Sequence, residues 1–211
     1  MSGTATRRSG GRPTAQAAAL LETAILDAAT TAFLANGYAA TTIEAVARTC
    51  RVAKRTIYAR WSGKAALFRA VLERLMARWL STAGDWAEAE GLEAALSGAA
   101  ARILAVALTP EAVALHRLLV AESARFPELP LMLHQAGAGE GTARIAALLE
   151  RAIARGALPS LNTLFAAEQF LHLVLAGPQR RALGLGQPLD ERQTEVWRQG
   201  AVALFLCGVR S

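Results

Sequence analysis

Residues Thr41–Lys64, TTIEAVARTCRVAKRTIYARWSGK, constrain the fold more tightly than any other stretch. Ile43, Val46, Ala47 and Cys50 recur at i, i+3, i+4 and i+7, one face of a short helix. Val52 falls in a turn. Ile57 and Trp61, four apart, share the inner face of a second short helix. Helices this short are unstable alone, so each must lay its apolar face on longer neighbours. The outer face of the second carries Lys54, Arg55, Thr56, Tyr58 and Arg60. Cations, a hydroxyl and a phenol on the free side of a docked helix are the groups that read bases and phosphates in a DNA major groove.

Charge points the same way. Residues 1–80 hold 12 Lys and Arg against 4 Asp and Glu, a net +8, whereas residues 81–211 hold 11 against 13, a net −2. A basic third on a mildly acidic body implies a polyanion partner for the first part only. On charge alone three readings stay open: sequence-specific DNA binding, non-specific or architectural DNA binding, and a helical module meeting an acidic protein. The helix pair favours the first.

The flanks supply the docking surfaces. Residues 1–13, rich in Gly, Ser, Thr and Arg, cannot bury a core and are expected to form a disordered basic arm. Thr14–Asn36 reads as a helix whose apolar stripe is Leu20, Leu21, Ala24, Ile25, Ala28, Ala32 and Phe33, with Gly37 suited to its cap. Thr41 or Thr42 caps the next helix, and a free hydroxyl at a helix N-terminus also binds phosphate well. In the turn, Arg51 falls where a positive φ is expected and Ala53 offers no capping side chain, each costing on the order of 1 kcal/mol. From Gly63 to about Leu80 a third helix begins with Lys64 in its first turn, which opposes the helix dipole; a bound phosphate would offset that. The DNA-binding unit is therefore expected over residues 14–76.

Residues 77–211 form a helical body. Helices are expected at about 91–108, 110–125, 128–137, 142–155, 160–177 and 189–208, with Gly177-Pro178 ending the fifth. No period-two pattern appears, so the fold class is all-α. Leu164, Ala167, Leu171 and Val174 make one seam on the penultimate helix. Val196, Gly200, Ala203 and Cys207 make another, of small residues, on the last. Cys50 and Cys207 have no metal-ligand spacing and read as reduced core residues. His116, His134 and His172 are scattered, so no metal is expected. No nucleophile–base pair or phosphate-cradling loop is visible, so neither an enzyme nor a cofactor is expected. No membrane span is expected, and the location is expected to be cytoplasmic. A small-molecule pocket among the middle helices would draw on Trp86, His116, Phe126, Met132, His134, Phe165 and Phe170. Arg117 or Arg125 would orient an acidic group.

The chain resembles the TetR family of bacterial transcriptional regulators. The resemblance rests on Gly37-Tyr38, Thr42-Ile43, Val46-Ala47, Val52, Ile57-Tyr58, Trp61, and Lys64 followed by Leu67-Phe68. The turn Cys50-Arg51-Val52-Ala53 departs from the family's usual Ala-Gly followed by Val and Ser, and makes Arg51 an extra candidate for phosphate. His116–Pro130 (HRLLVAESARFPELP) and Phe170–Arg181 (FLHLVLAGPQRR) are similar to the C-terminal domain of AefR-like regulators. The resemblance implies a homodimer paired through the last two helices, a palindromic double-stranded operator and a small-molecule effector. It also implies repression relieved by that effector, with activation by the same fold as the alternative. Lys54, Arg55 and Thr56 are expected at base edges or nearby phosphates, and Thr42, Tyr58, Arg60 and Lys64 on backbone phosphates.

Overall fold

Apolar residues at helical spacing run through the whole chain, and the computed structural model, which describes residues 15–82 and 91–210, folds them into ten α-helices. The expected arm at 1–13 and the candidate Trp86 lie outside the described residues. Helix α1 (Ala15–Ala40) is followed by α2 (Ile43–Thr49), α3 (Lys54–Tyr58) and α4 (Lys64–Thr82). The body comprises α5 (Leu92–Ala107), α6 (Pro110–Glu122), α7 (Glu128–Leu133), α8 (Glu140–Ala154), α9 (Thr163–Ala182) and α10 (Glu191–Arg210). A π-helical turn, His134–Ala138, with Gly137 at φ 112°, joins α7 to α8 and takes the place of the last part of the helix expected at about 128–137.

The core is split, though not at the boundary expected between residues 76 and 77. One cluster holds α1 to α4 together with Leu115 and Leu118 of α6 and Leu129 and Met132 of α7. The other joins α5, α8, α9 and α10 around Leu96, Leu149, Phe170 and Phe205. Helices α6 and α7 are thus distant in sequence from the N-terminal unit but packed into its core. Helix α1 is long and apolar enough by length and composition to cross a bilayer. Its Ile25, Ala29 and Phe33, however, are buried in the first cluster, whereas Leu20 and Ala24, expected on the apolar stripe, are exposed because no helix among the described residues packs on that side of the first turns.

Two of these helices depart from ideal geometry. Helix α1 is kinked at Gly37, whose φ of 82° and ψ of 172° lie in a region that side chains exclude. Thr41, the one buried polar side chain among the described residues, places its Oγ 2.8 Å from Gly37 O and 3.0 Å from Ala32 O and stitches the kink.

The second departure corrects the expected end of the penultimate helix. Helix α9 runs through Gly177-Pro178 to Ala182. A proline there strips the Val174 carbonyl of its helical donor. The indole Nε1 of Trp197, on α10, donates to Val174 O and Leu173 O at 3.1 Å each. Gly177 makes room for the ring, since a Cβ there would lie 2.3 Å from its edge. The interhelical bond lets the helix continue.

Candidate nucleic-acid interface and interior cavity

Helix α3 is only five residues long, and its N-cap residue, Ala53, makes no side-chain cap. Packing must therefore hold it. Ile57 is 0% exposed in the first cluster, with Val52 and Trp61 packed beside it. Burying such a side chain contributes about 2 kcal/mol. The turn before it places Arg51 at φ 56°, as expected from the sequence. Helix α2 is better founded: Thr42 Oγ accepts from Ala45 N at 3.1 Å, and its O–H is directed to the Glu44 carboxylate. Cys50 docks the end of α2 on α1, its Sγ 3.6 Å from Ala24 O, and burial pushes its thiol pKa up.

The outer face of this pair is polar and open. Arg55, Arg60, Lys54 and Arg51 are exposed, Tyr58 is 50% exposed and Thr56 is half-buried. The cations are not equivalent. Lys54 is ion-paired with Glu44 of α2, and that bond is the main reason the Glu44 carboxyl sits below its ordinary range. Arg60 Nη1 donates to Thr56 O at 3.4 Å, and its Nε lies 3.9 Å from Glu22. Arg48, Arg51 and Arg55 form no ion pair among the described residues. Arg48, exposed in the last turn of α2, was missed in the sequence; its signal was a cation opposite the Val46–Ala47 face.

Lys64 has a different environment from the one expected. It is half-buried and donates to Tyr38 O at 3.0 Å and Ala39 O at 3.1 Å, with its ammonium 4.6 Å above the Tyr38 ring. Its conflict with the helix dipole is thus resolved inside the protein, with no phosphate required. The same two peptides are held from the other side. Glu122, the last residue of α6, accepts from Tyr38 N at 2.6 Å and Ala39 N at 2.7 Å. It too opposes its helix dipole. A Cβ on Gly37 would lie 2.2 Å from Glu122 Oε1, so any larger residue there would displace the carboxylate from the two N–H groups, besides straining φ. The Tyr38 ring packs edge-on against Phe68 and Phe126, at 5.1 and 5.0 Å, and stacks on Phe33 at 5.9 Å. Burial first, then Glu128 and Glu122, raises the Tyr38 pKa.

A cavity of about 270 Å³ opens between α4, α5, α6, the π turn and α9. Trp79, Leu80, Ile103, Leu115 and Leu175 give it apolar walls, and Arg102, His116 and Gln179 are its polar groups. Of the eight expected pocket residues that are among the described residues, only His116 lines it. Phe170 is fully buried against Phe205 at 5.1 Å, in the second core. Met132 is in the first core, and Phe126 packs against Tyr38. Phe165, 59% exposed, Arg117, Arg125 and His134 face outward. Helical spacing marked these residues as inward or outward without saying which interior each would enter. Arg102 and Gln179 carried no pattern that would have marked them.

The seams on the last helices are also partly redrawn. Val196, Gly200, Ala203 and Cys207 are exposed along α10, with Leu204 at 67%; Cys207 is therefore not a core residue. On α9, Ala167 and Val174 face the intrachain core, whereas Leu164, Phe165 and Leu173 are exposed. Leu173, Val196, Gly200 and Leu204 line a groove of about 670 Å³ between the two helices.

Residues 25–71 match the model of bacterial regulatory proteins of the tetR family, and residues 94–208 match that of the AefR-like transcriptional repressor C-terminal domain. Among solved structures the chain is similar to a protein described as a TetR-family transcriptional regulator from Mesorhizobium loti (26% identity, TM-score 0.77). That likeness covers 90% of this chain and 97% of the other. It is similar to the flavonoid-responsive regulator FrrA at 30% identity and a TM-score of 0.75, over the same shares. The fatty acid degradation regulator FadR of Bacillus halodurans shares the fold at 18% identity and a TM-score of 0.69, over 90% and 96% of the two chains. No curated protein matches the chain.

Proposed function

The chain belongs to the TetR family of bacterial regulatory proteins, with an AefR-like C-terminal domain, and from that premise we propose that it is a cytoplasmic, homodimeric repressor that a small molecule releases from a palindromic operator. Its fold is that of DNA-binding transcriptional regulators. In this reading α3 enters the major groove. Arg55, Thr56 and Lys54 face the bases and nearby phosphates; Lys54 exchanges Glu44 for DNA. Thr42, Arg51, Tyr58 and Arg60 hold the backbone. The exposed apolar face of α9 and α10 supports pairing of two copies, which sets the two recognition helices at a fixed separation.

One observation carries the ligand-controlled part. Helices α4 and α6 both line the cavity, and both end on the same dipeptide, Tyr38–Ala39: Lys64 of α4 holds its carbonyls and Glu122 of α6 its N–H groups. That dipeptide leads through Thr41 into α2. A ligand that favours a wider spacing of α4 and α6 pulls on both sides of the clamp and re-aims α2 and α3. The similarity to a regulator described as flavonoid-responsive supports control by a small molecule.

The test is binding to DNA from upstream of the protein's own gene, against random DNA at about 0.15 M salt. A specific regulator prefers its operator by about a thousandfold or more. Equal affinity for both would leave an architectural binder. Leu204→Glu should yield monomers by sedimentation with helical content retained, and lose operator binding; dimers of L204E would refute pairing through this face.

A further inference from the structure

The cavity has one feature that its apolar packing does not explain. Arg102, on α5, lines it, and its Nε is buried with no hydrogen-bond partner among the described residues. Its guanidinium lies over Gly98, one turn earlier, where a Cβ would sit 3.5 Å from Nη2. None of the described residues lining the cavity is acidic, and the other polar side chains there are His116 and Gln179. A buried guanidinium nitrogen left without an acceptor is destabilising. A ligand oxygen in the cavity would supply the missing acceptor.

We propose that the effector is an organic acid: an apolar aliphatic or aromatic body carrying one carboxylate, with Arg102 as its counter-ion. The inference rests on the reading of this cavity as the effector site. The planar fork of arginine matches a carboxylate in bidentate fashion. Gln179 and His116 are the further polar groups that fix the headgroup, while Trp79, Leu80, Ile103 and Leu115 enclose the body. A cavity with a cation and no anion repels amines, and its polar groups leave a purely apolar ligand unmatched. A volume of about 270 Å³ suits a small acid better than a long-chain one.

Matched probes test this by calorimetry on the full-length dimer: octanoate against octanamide, and 2-naphthoate against 2-naphthamide. Each acid should bind wild type about ten- to a hundredfold more tightly than its amide, since hydrogen bonds to a charged partner are worth that much. In Arg102→Gln the preference should fall to about onefold, and Arg102→Lys, which keeps the charge without the fork, should lie between. Equal affinity of acid and amide for wild type overturns the proposal, and this comparison stands even if the variants do not fold. A preference that persists in R102Q, or no binding of either acid at millimolar concentration, overturns it too. Operator release is measured in parallel. Acids that bind through Arg102 yet leave the operator occupied would confirm the anion site and refute ligand-relieved repression. Release that shows no acid preference would do the reverse.

Discussion

Replacing Glu122 by Gln tests the clamp between the body and the DNA-binding helices. The carboxylate accepts from two consecutive backbone N–H groups, at 2.6 Å from Tyr38 and 2.7 Å from Ala39. The amide keeps the shape but has one oxygen, so its NH2 must face an N–H. One charge-assisted bond is lost, the other becomes neutral, and a half-buried donor is left unpaired. Hydrogen bonds to charged groups contribute about 1.5–3 kcal/mol each, so E122Q should lose about 2–3 kcal/mol of stability. Urea unfolding of wild type and variant measures this, and operator affinity should fall with it as the start of α2 loosens. Glu128→Gln is the control. Glu128 faces Tyr38 closely enough to raise its pKa but forms no hydrogen bond to it, so E128Q should stay within about 0.5 kcal/mol of wild type. Unfolding of E122Q within that same margin would refute the clamp. A loss equal in E122Q and E128Q would reduce it to a general charge effect.

Other outcomes follow from the same geometry. Lys64→Ala should lower stability by about 1–2 kcal/mol while leaving the salt slope of DNA binding nearly unchanged; a slope shallower by about one unit would place Lys64 on a phosphate instead. Trp197→Phe should cost about 1–3 kcal/mol in thermal unfolding, because the Val174 carbonyl above Pro178 loses its donor; a neutral substitution would mean that the proline is tolerated for another reason. Tyr38 adds a pH dependence. Its pKa is raised on folding, so its contribution is fully present below about pH 10 and is lost as pH rises through the folded value. The stability difference between wild type and Tyr38→Phe should therefore change only above that pH, and one that is flat to pH 11 (about one unit beyond the ordinary value) would refute the burial argument.

Much of the fold was readable because helical spacing depends on residue type alone. Ile43, Val46, Ala47 and Ile57 lie where their spacing put them, and Arg51 takes the positive φ that the turn required. What failed depended on partners remote in sequence. The spacing of Phe170 marks it as interior, but only packing with Phe205 decides that this interior is the second core and not the cavity. Pro178 was read as a stop because its compensating donor, Trp197, comes 19 residues later. Arg102 showed no local pattern at all; its meaning arises from α4, α6, α9 and the π turn closing around it.

Lys64 and Glu122 show how a local conflict carries information beyond the first explanation it suggests. Each sits at the helix end its charge disfavours. For Lys64 the sequence offered one remedy, a phosphate outside the protein. The structure supplies another, the carbonyls of Tyr38 and Ala39, and gives Glu122 the N–H groups of those same residues. Two misplaced charges of opposite sign, 58 residues apart, thus explain each other through one dipeptide. Neither helix dipole is relieved if that dipeptide moves away, so displacing it strains both helices at once. In the proposed regulation this dipeptide has two arrangements, gripped as seen here and released. That is the property an element must have if events in the cavity are to reach the DNA-binding face.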